Sequence, residues 1–470
     1  MKATLVSICP TDAANAAGRH ALTPELLAAT GARYSRNNEG MESIVAKIDP
    51  ARLDASVDSI FKMLDYGHQS IADMVPVAIF MDGISMWLAY HVWSLAPVAG
   101  GQESSTRYIR MSPESVLPPE DLGIPAELRC EWRASMEGAF SHYSRLEEAW
   151  SNFVRANPGE LRIPAALRDD ESDKARRQVA RMVRNYSFDR ARYLLPTALS
   201  TNVMLVMSAR SWASLCTNLS SLPLPEANAL AEALRGELSL AAPHLLRHAV
   251  ATQDARAGLA REFDARRAMA AALAGTPCPQ DRCSVPHLEV STPHGVGGAE
   301  LASALDFHSN RYAWQGPDIA RTAVRFSWDA MAFAEMRDLN RHRTGTKHSS
   351  FVPRGFYCAL DQIPHPNEFF AAPVDIEAGD AANFGARLSA RARDLLAAGD
   401  PTYIYWTLLG TEFDFEHVTT ADKFIYEAEL RTGTGAHYRY ARHFHDMLAL
   451  WYERFPETRG KVLEGSAEPE

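Results

Sequence analysis

The chain has 470 residues, a length that predicts two or more domains and does not limit the hydrophobic core. Its formal net charge of −10 argues against a general affinity for nucleic acid. Six cysteines do not form a disulfide framework in so long a chain, no apolar stretch reaches the length of a membrane span, and the apolar run after Met1 is too short for a signal peptide. These features predict a cytoplasmic protein that binds neither nucleic acid nor membrane.

Strand and helix patterns alternate in the first hundred residues. Residues 2–8 alternate apolar and polar positions, which predicts a strand, and residues 50–66 carry one apolar stripe, which predicts a helix. Residues 75–81 form a short apolar run typical of a buried strand. Asp82 follows this run and resembles the N-cap of a helix over residues 83–95.

Helical patterns dominate the rest of the chain, with a linker after a charged helix between residues 251 and 286 and a strand at residues 287–292. A polar tail, residues 461–470, is predicted to be disordered. Helices mixed with few strands predict an α+β (α/β) fold. The further predicted helices are 126–157, 171–192, 202–219, 226–248, 383–398, 419–430 and 436–454.

The chain repeats itself at an offset of 247 residues. Asp82 then falls on Asp329, Arg107 on Arg354, and Ser94-Leu95-Ala96 on Arg341-His342-Arg343. Each copy carries polar groups that the other lacks. We interpret the chain as a tandem duplication, with a first repeat at 1–248, a helical linker at 249–286, a second repeat at 287–460 and the tail at 461–470.

Glu103, Ser105 and Arg107 form the clearest constellation of polar residues. On an extended segment their spacing points all three side chains to one side, where a carboxylate, a hydroxyl and a guanidinium can bind a polar anionic ligand. An ordinary loop with a salt bridge is the alternative. A second constellation, Cys278-x4-Cys283 near His287 and His294, lacks the spacing of a zinc site, so no metal is expected.

Several segments together resemble the flavin-dependent thymidylate synthases (ThyX), which carry Arg-His-Arg, a spacer and Asn-Glu-x-Ser-x-Arg-Tyr. The first repeat keeps the end of that motif and the second repeat keeps its beginning. The segments that carry the resemblance are Gln102-Glu103-Ser104-Ser105-Thr106-Arg107-Tyr108, Arg341-His342-Arg343, Gly67-His68-Gln69-Ser70, Ala191-Arg192-Tyr193-Leu194-Leu195-Pro196, Ser208-Ala209-Arg210-Ser211, and Phe424 to Arg431 with Ala436.

The resemblance implies a mixed sheet flanked by long helices in each repeat, and it assigns roles to residues. It implies catalytic roles for Arg341, Arg431 and Glu103. It implies nucleotide binding by Gln102, Glu103, Ser105, Arg107, Arg192 and Arg431, and cofactor binding by His68, Ser70, Arg210, Arg341, His342 and Arg343. For any one of these arginines a surface position is the alternative, and for Arg341-His342-Arg343 it is favourable charge at a helix C-terminus.

The same resemblance implies an activity. A one-carbon unit from methylene-tetrahydrofolate is transferred to carbon 5 of dUMP, with flavin adenine dinucleotide (FAD) as cofactor and NADPH as its reductant. Because the motif is split, we predict one composite site built from both repeats, and a homodimer equivalent to the family's tetramer. Flavin-dependent modification of another pyrimidine or small molecule, and a non-catalytic nucleotide- or flavin-binding protein, are the alternatives.

The departures from the family pattern bear on these expectations. Gln102 replaces the motif's Asn, and His437 replaces a Gln after Ala436. The second repeat has Trp314-Gln315-Gly316-Pro317 where the first has the His68 segment, so it is not expected to bind flavin in the same manner.

Overall fold

The computed structural model describes residues 1–7, 9, 11–17, 21–35, 40–47, 57, 70–96, 99–107, 111–161, 169–363, 372–433 and 436–465. Apart from residue 57, the helix predicted at 50–66 lies outside these residues, as does the polar tail beyond residue 465.

Nine strands are present in the described part of the chain. They are β1 (Lys2–Val6), β2 (Pro76–Ser85), β3 (Gly100–Glu103), β4 (Ser200–Ser208), β5 (Pro286–Ser291), β6 (Ala323–Ala332), β7 (Thr346–His348), β8 (Gly355–Phe356) and β9 (Thr411–Thr420).

The α-helices of the same residues are numbered in chain order. They are α1 (Asp12–Ala16), α2 (Pro24–Tyr34), α3 (Met41–Ala46), α4 (Ser70–Asp73), α5 (Met86–Ser94), α6 (Pro119–Leu122), α7 (Arg129–Ala156), α8 (Asp173–Ala191), α9 (Ala209–Leu219), α10 (Pro225–Ala241), α11 (Gln253–Ala272), α12 (Gly298–Ser303), α13 (Pro317–Arg321), α14 (Phe333–Leu339), α15 (Ala372–Ala398), α16 (Ala421–Thr432) and α17 (Tyr438–Arg454).

The chain forms two compact units that interleave in sequence. Unit 1 comprises Met1–Tyr108, Leu117–Ile124 and Leu199–Asp264, and unit 2 comprises Ile109–Val116, Pro125–Ala198 and Ala265–Glu470. Each unit contains one sheet, and the predicted α+β fold with long flanking helices is confirmed. The repeat boundaries predicted from the sequence stay a prediction.

The sheet of unit 1 has the strand order β1-β2-β4-β3, and neighbouring strands are antiparallel. Strand β4 buries Val203, Leu205 and Met207 at alternate positions, which is the period of a strand with one covered face. The helix predicted over 202–219 is therefore wrong in its first part. Residues 200–208 are a strand, and helix α9 begins only at Ala209.

Strand β2 runs further than its apolar sequence indicates. A bulge between Asp82 and Ile84, with Gly83 at a φ of +71°, lets pairing with β4 continue to Ser85. Asp82 is thus a strand residue, and its predicted role as an N-cap is wrong. The Ser85 hydroxyl caps α5 instead by accepting from the backbone N–H of Leu88 at 3.0 Å.

The sheet of unit 2 repeats this topology. Its order is β5-β6-β9-β7, again antiparallel, with β8 paired to β9. Strand β6 has its own bulge between Trp328 and Met331, and both ends of β6 lie 247 residues after those of β2. Asp329, like Asp82, lies within the strand. The repeated topology supports the interpretation of a tandem duplication.

Unit 2 also holds residues 125–198, which the sequence assigns to the first repeat. Pro196 forms a bridge with Leu408, the Thr197 backbone N–H donates to Thr407 O at 3.1 Å, and that of Leu409 donates to Leu195 O at 2.8 Å. Because the short 3-10 helix Arg192–Leu194 directly precedes this bridge, Arg192 is fixed inside unit 2.

Candidate functional site

Helix α14 places two acidic side chains against Arg192 in unit 2. The Arg192 guanidinium lies 3.4 Å from Oδ2 of Asp338 and 3.7 Å from Oε1 of Glu335. Arg192 is only 4% exposed, and its guanidinium is paired with these two carboxylates. The resemblance instead assigns this residue to nucleotide binding.

Asp338 is the centre of a cluster of arginines. Its backbone carbonyl accepts from Nη2 of Arg431 at 2.7 Å, and its Oδ1 lies 3.9 Å from Nη1 of Arg341. Burial alone would raise the pKa of Asp338, but the nearby cations of Arg192, Arg431 and Arg341 outweigh it and lower the pKa. Arg341 is 37% exposed at its side chain, which leaves it open to a ligand.

His342 is buried in the same cluster and is not a cation. Its Nε2 accepts from Nε of Arg431 at 2.8 Å, and its Nδ1 lies 3.9 Å from Oε1 of Glu427. Burial lowers the pKa of His342 to about 3, so the imidazole is neutral at pH 7. His342 therefore does not contribute to the alternative given for 341–343, favourable charge at a helix C-terminus. The Nζ of Lys347 donates to the His342 carbonyl, and burial lowers the pKa of this lysine.

Glu335 is fully buried and is held by Tyr193. The Tyr193 hydroxyl donates to Glu335 Oε1 at 2.7 Å, while Oε2 has no hydrogen-bond partner among the described residues. Burial raises the pKa of Glu335 to about 7, even though Arg192 lowers it. Glu335 is thus near the midpoint of its titration at neutral pH.

Three further residues named from the sequence lie in unit 2. Arg343 is half-buried just past α14, and burial lowers its pKa. Arg354 lies 3.8 Å from Asp414. His437, in place of the family's Gln, is buried, and its Nδ1 accepts from the backbone N–H of Arg439 at 3.1 Å as the N-cap of α17.

In unit 1, Glu103, Ser105 and Arg107 do not lie on a single strand. Strand β3 ends at Glu103, which is buried, and Arg107 lies in a turn. The backbone N–H of Ser104 still donates to Asn202 O at 3.0 Å, and Ser105 and Arg107 are half-buried. Strand alternation therefore does not align the three side chains. Gln102 on β3 is exposed.

A cleft of about 280 Å³ lies elsewhere in unit 1, beside Arg210 on α9. Nη1 of Arg210 lies 2.8 Å from Oδ2 of Asp73, and both side chains are nearly half exposed. Ser70, at the start of α4, is exposed three residues before Asp73. His68 lies outside the described residues. The other lining residues of the cleft are Ala72, Ala213, Ser214, Thr217, Leu245 and His248.

The cysteine constellation is not assembled as a metal site in the structure. Cys278 is buried and Cys283 is exposed. Across the described ranges no three His, Cys, Asp or Glu side chains are placed to hold a metal ion. None of the helices in those ranges combines the length and apolar character needed to cross a membrane.

Sequence reasoning missed the acids that organise the cluster, Glu335 and Asp338, and it missed the role of Tyr193. Asp338 stands three residues before Arg341, a spacing that allows an ion pair near the end of a helix. Tyr193 lies inside the quoted Ala-Arg-x-x-Leu-Pro segment. No sequence signal links Glu335 to Tyr193, because they are 142 residues apart.

Comparisons with known proteins point in the same direction as the motifs. Residues 19–244 match the family described as thymidylate synthase complementing protein. A segment of the chain is 26% identical over 198 residues to the UPF0159 protein Ta1429 of Thermoplasma acidophilum, a match that covers 39% of this chain and 40% of that relative. The chain thus spans well under half the length of this relative.

One solved structure with a similar chain is a UMP/dUMP methylase, PolB, from Streptomyces cacaoi, bound with 5-Br dUMP. The alignment covers 52% of this chain and 93% of that chain, at 14% identity and a TM-score of 0.32. The bound nucleotide is a property of that protein.

Proposed function

Because residues 19–244 belong to the thymidylate synthase complementing protein family, we propose that this chain is a flavin-dependent enzyme that transfers a one-carbon unit to carbon 5 of a pyrimidine nucleotide. The observation that carries the proposal is the cluster around Asp338. It joins Arg192, from the family-matched part, to Arg341 and Arg431, which lie far beyond it in sequence.

The charge of this cluster suits a nucleotide. Three guanidinium groups surround Asp338, and Glu335 is only half ionised near pH 7. The excess positive charge favours a phosphate or the carbonyl oxygens of a pyrimidine. Arg431 is half-buried, and a cation there can polarise the carbonyl groups of a pyrimidine for reaction at carbon 5.

His342 has a positioning role in this proposal. Its neutral ring accepts from Arg431 Nε, which leaves Nη1 of Arg431 as the nitrogen that bonds neither His342 nor the Asp338 carbonyl in these contacts. The imidazole therefore orients a cation and does not itself add charge to the site.

The cleft of unit 1 fits part of a flavin nucleotide. The carboxylate of Asp73 sits against Arg210 where an anionic group of a ligand can take its place, and Ser70 is exposed on the same short helix. We assign FAD to Ser70 and Arg210, and to His68 by resemblance. FAD supplies the redox chemistry of the reaction when bound. Methylene-tetrahydrofolate as one-carbon donor and NADPH as reductant complete the proposal.

We further propose that Gln102, Glu103, Ser105 and Arg107 complete the nucleotide site, and that two chains assemble into the equivalent of a four-subunit enzyme. The split of the motif between the repeats supports this, because neither repeat carries the whole set of side chains. Glu103 is buried at the end of β3, which is consistent with a fixed position for its carboxylate.

The proposal is tested by the visible spectrum of the purified chain with FAD, before and after addition of dUMP, and by loss of tritium from carbon 5 of labelled dUMP with the folate donor and NADPH. We expect a flavin band that dUMP perturbs, and tritium release that Arg431→Ala abolishes. Arg325→Ala is the matched control, because Arg325 is a half-exposed arginine of unit 2 paired with Glu416. No flavin band and no release in the unaltered chain contradict the proposal.

Modification of another pyrimidine or a small-molecule acceptor is the second candidate. The ion pairs of Arg192 with Glu335 and Asp338 favour this candidate, because an arginine paired with two carboxylates is not available to bind the phosphate of dUMP. Flavin binding and flavin reduction without tritium release from dUMP would support this candidate. Nucleotide binding without any flavin would instead indicate the non-catalytic binding protein.

A further inference from the structure

Three of the most exposed large aromatic side chains of unit 2 lie in one loop between α12 and α13. Phe307 is 73% exposed, Tyr312 78% and Trp314 61%. Large aromatic side chains usually bury most of their surface, so three in eight residues mark a binding surface. This loop includes the Trp314-Gln315-Gly316-Pro317 segment, which the proposed function leaves without a role.

The loop is held rigidly beneath these exposed rings. The backbone N–H of Gly316 donates to Ala304 O at 2.7 Å, and that of Ala313 donates to Asn310 O at 2.8 Å. His308 is buried, and its Nε2 lies 2.8 Å from Oε1 of Glu429 on α16. These hydrogen bonds hold the backbone of the loop in place. Less conformational entropy of the loop is therefore lost when a ligand stacks on the exposed rings.

Ring contacts connect Tyr312 of this loop to the arginine cluster. Tyr312 lies 6.1 Å from Tyr426 between ring centroids, and Tyr426 lies 6.3 Å from His342, the partner of Arg431. Arg311 is packed beside Gly433, which follows α16 directly, so a side-chain carbon placed at Gly433 would lie 3.1 Å from its Nη2. These contacts link Tyr312 through Tyr426 to the His342–Arg431 pair, and Arg311 adds a cation at the end of α16.

We propose that this aromatic shelf, formed by Tyr312, Trp314 and Tyr426 with Arg311, binds a small molecule that carries a planar heteroaromatic ring and an anionic group. Rings stack on Tyr and Trp faces with little dependence on sequence or substituents, and guanidinium groups bind carboxylate or phosphate. Nucleotides and folates share this chemistry. The position of Tyr426 beside His342, which bonds Arg431, favours an anionic small molecule over a protein partner, because it connects these rings to the proposed nucleotide site.

The two ligand sources are separated by calorimetric titration of the full chain with dUMP and, independently, with folic acid. We expect Tyr312→Ala/Trp314→Ala to weaken one of the two by about tenfold or more. Tyr34→Ala is the control, since Tyr34 is an exposed ring of unit 1, 56% exposed. We expect Arg311→Ala to weaken dUMP or folic acid, but to leave deoxyuridine binding unchanged, because deoxyuridine carries no anionic group.

Equal affinities of the double variant and the unaltered chain for both ligands would overturn the assignment. So would a double variant that keeps both affinities but changes its mass in solution, since the shelf would then be an interface between copies of the chain. The inference depends on the proposed function only for the choice of probes. If ligand binding requires the shelf but tritium is not released from dUMP, the proposed function fails and the shelf stands.

Discussion

Arg431 donates from Nε to Nε2 of His342 at 2.8 Å, so the single proton of this neutral imidazole resides on Nδ1, towards Glu427. Burial lowers the pKa of His342 to about 3, whereas an unfolded histidine titrates near 6.5. The unfolded chain therefore takes up a proton between these values that the folded chain does not. This contribution to stability is present above about pH 6.5 and is lost as the pH falls towards 3.

We expect the ring nitrogens of His342 to keep the chemical shifts of a neutral Nδ1–H tautomer from pH 8 to pH 5. Nitrogen-15 NMR of histidine-labelled protein measures this, and His342→Gln assigns the signal by its disappearance. A His342 resonance that titrates near pH 6 would contradict the buried, Arg431-bonded arrangement.

Asp338 pairs with Arg192 and Arg341, so in the proposed nucleotide site it competes with an anionic ligand for these two cations. We expect Asp338→Asn to tighten binding of dUMP or inorganic phosphate by about tenfold, which corresponds to roughly 1.4 kcal/mol. The same change leaves Arg192 with Glu335 alone and lowers stability by about 1–3 kcal/mol. Calorimetric titration and urea unfolding measure the two effects separately.

Asp318→Asn provides the control for this experiment. Asp318 is a partly exposed acid of unit 2 that pairs with Arg321 within one turn of α13. Its replacement should change neither anion affinity nor stability by more than a few tenths of a kcal/mol. A weaker affinity in Asp338→Asn would show that Asp338 takes part in binding and does not compete with the ligand.

Glu335 makes stability depend on pH in the opposite direction. Burial raises its pKa to about 7, above the usual range of a glutamate in an unfolded chain. Between roughly pH 4.3 and 7 the folded chain holds a proton that the unfolded chain has released, so stability falls as the pH rises through this window. We expect Glu335→Gln to remove that slope and to stabilise the protein by about 3 kcal/mol at pH 8.

Tyr193→Phe separates the hydrogen bond from the titration. It removes the 2.7 Å bond to Glu335 and keeps the ring that lies edge-on to Tyr357 at 4.6 Å. Because the bond lowers the pKa of Glu335, its loss should move the pH window upwards and cost about 1 kcal/mol of stability at pH 8. An unchanged slope in both variants would show that Glu335 is ionised throughout.

The sequence predicted most long helices because their apolar positions recur at a helical period, as in α7 and α17. It misplaced the end of β2, since the bulge after Asp82 depends on pairing with β4, 120 residues away in the chain. Strand β9 gave no recognised signal, although Phe413 and Phe415 are buried at alternate positions. Local sequence patterns therefore revealed the periodicity of the helices, but they did not reveal how distant strands pair.

The cluster itself was only half predictable. Motif resemblance found Arg192, Arg341 and Arg431, because the motifs name arginines at fixed distances from other residues. The partners of Arg192 could not be found that way. Asp338 and Glu335 meet Arg192 through tertiary packing across more than 140 residues, and neither belongs to a quoted motif.

Arg210 allows the flavin assignment to be tested with little risk to the fold. Its pair with Asp73 is nearly half exposed on both sides, and such pairs contribute about 0–1 kcal/mol. We expect Arg210→Ala to leave the unfolding midpoint almost unchanged and to weaken FAD binding by about tenfold, measured by titration of the flavin absorbance.

Asp73→Ala is the matched control, because it removes the same ion pair but leaves the cation free. If Arg210 binds the cofactor, Asp73→Ala keeps or improves FAD affinity. If both variants weaken FAD equally, the ion pair itself shapes the cleft, and Arg210 is a structural residue of unit 1.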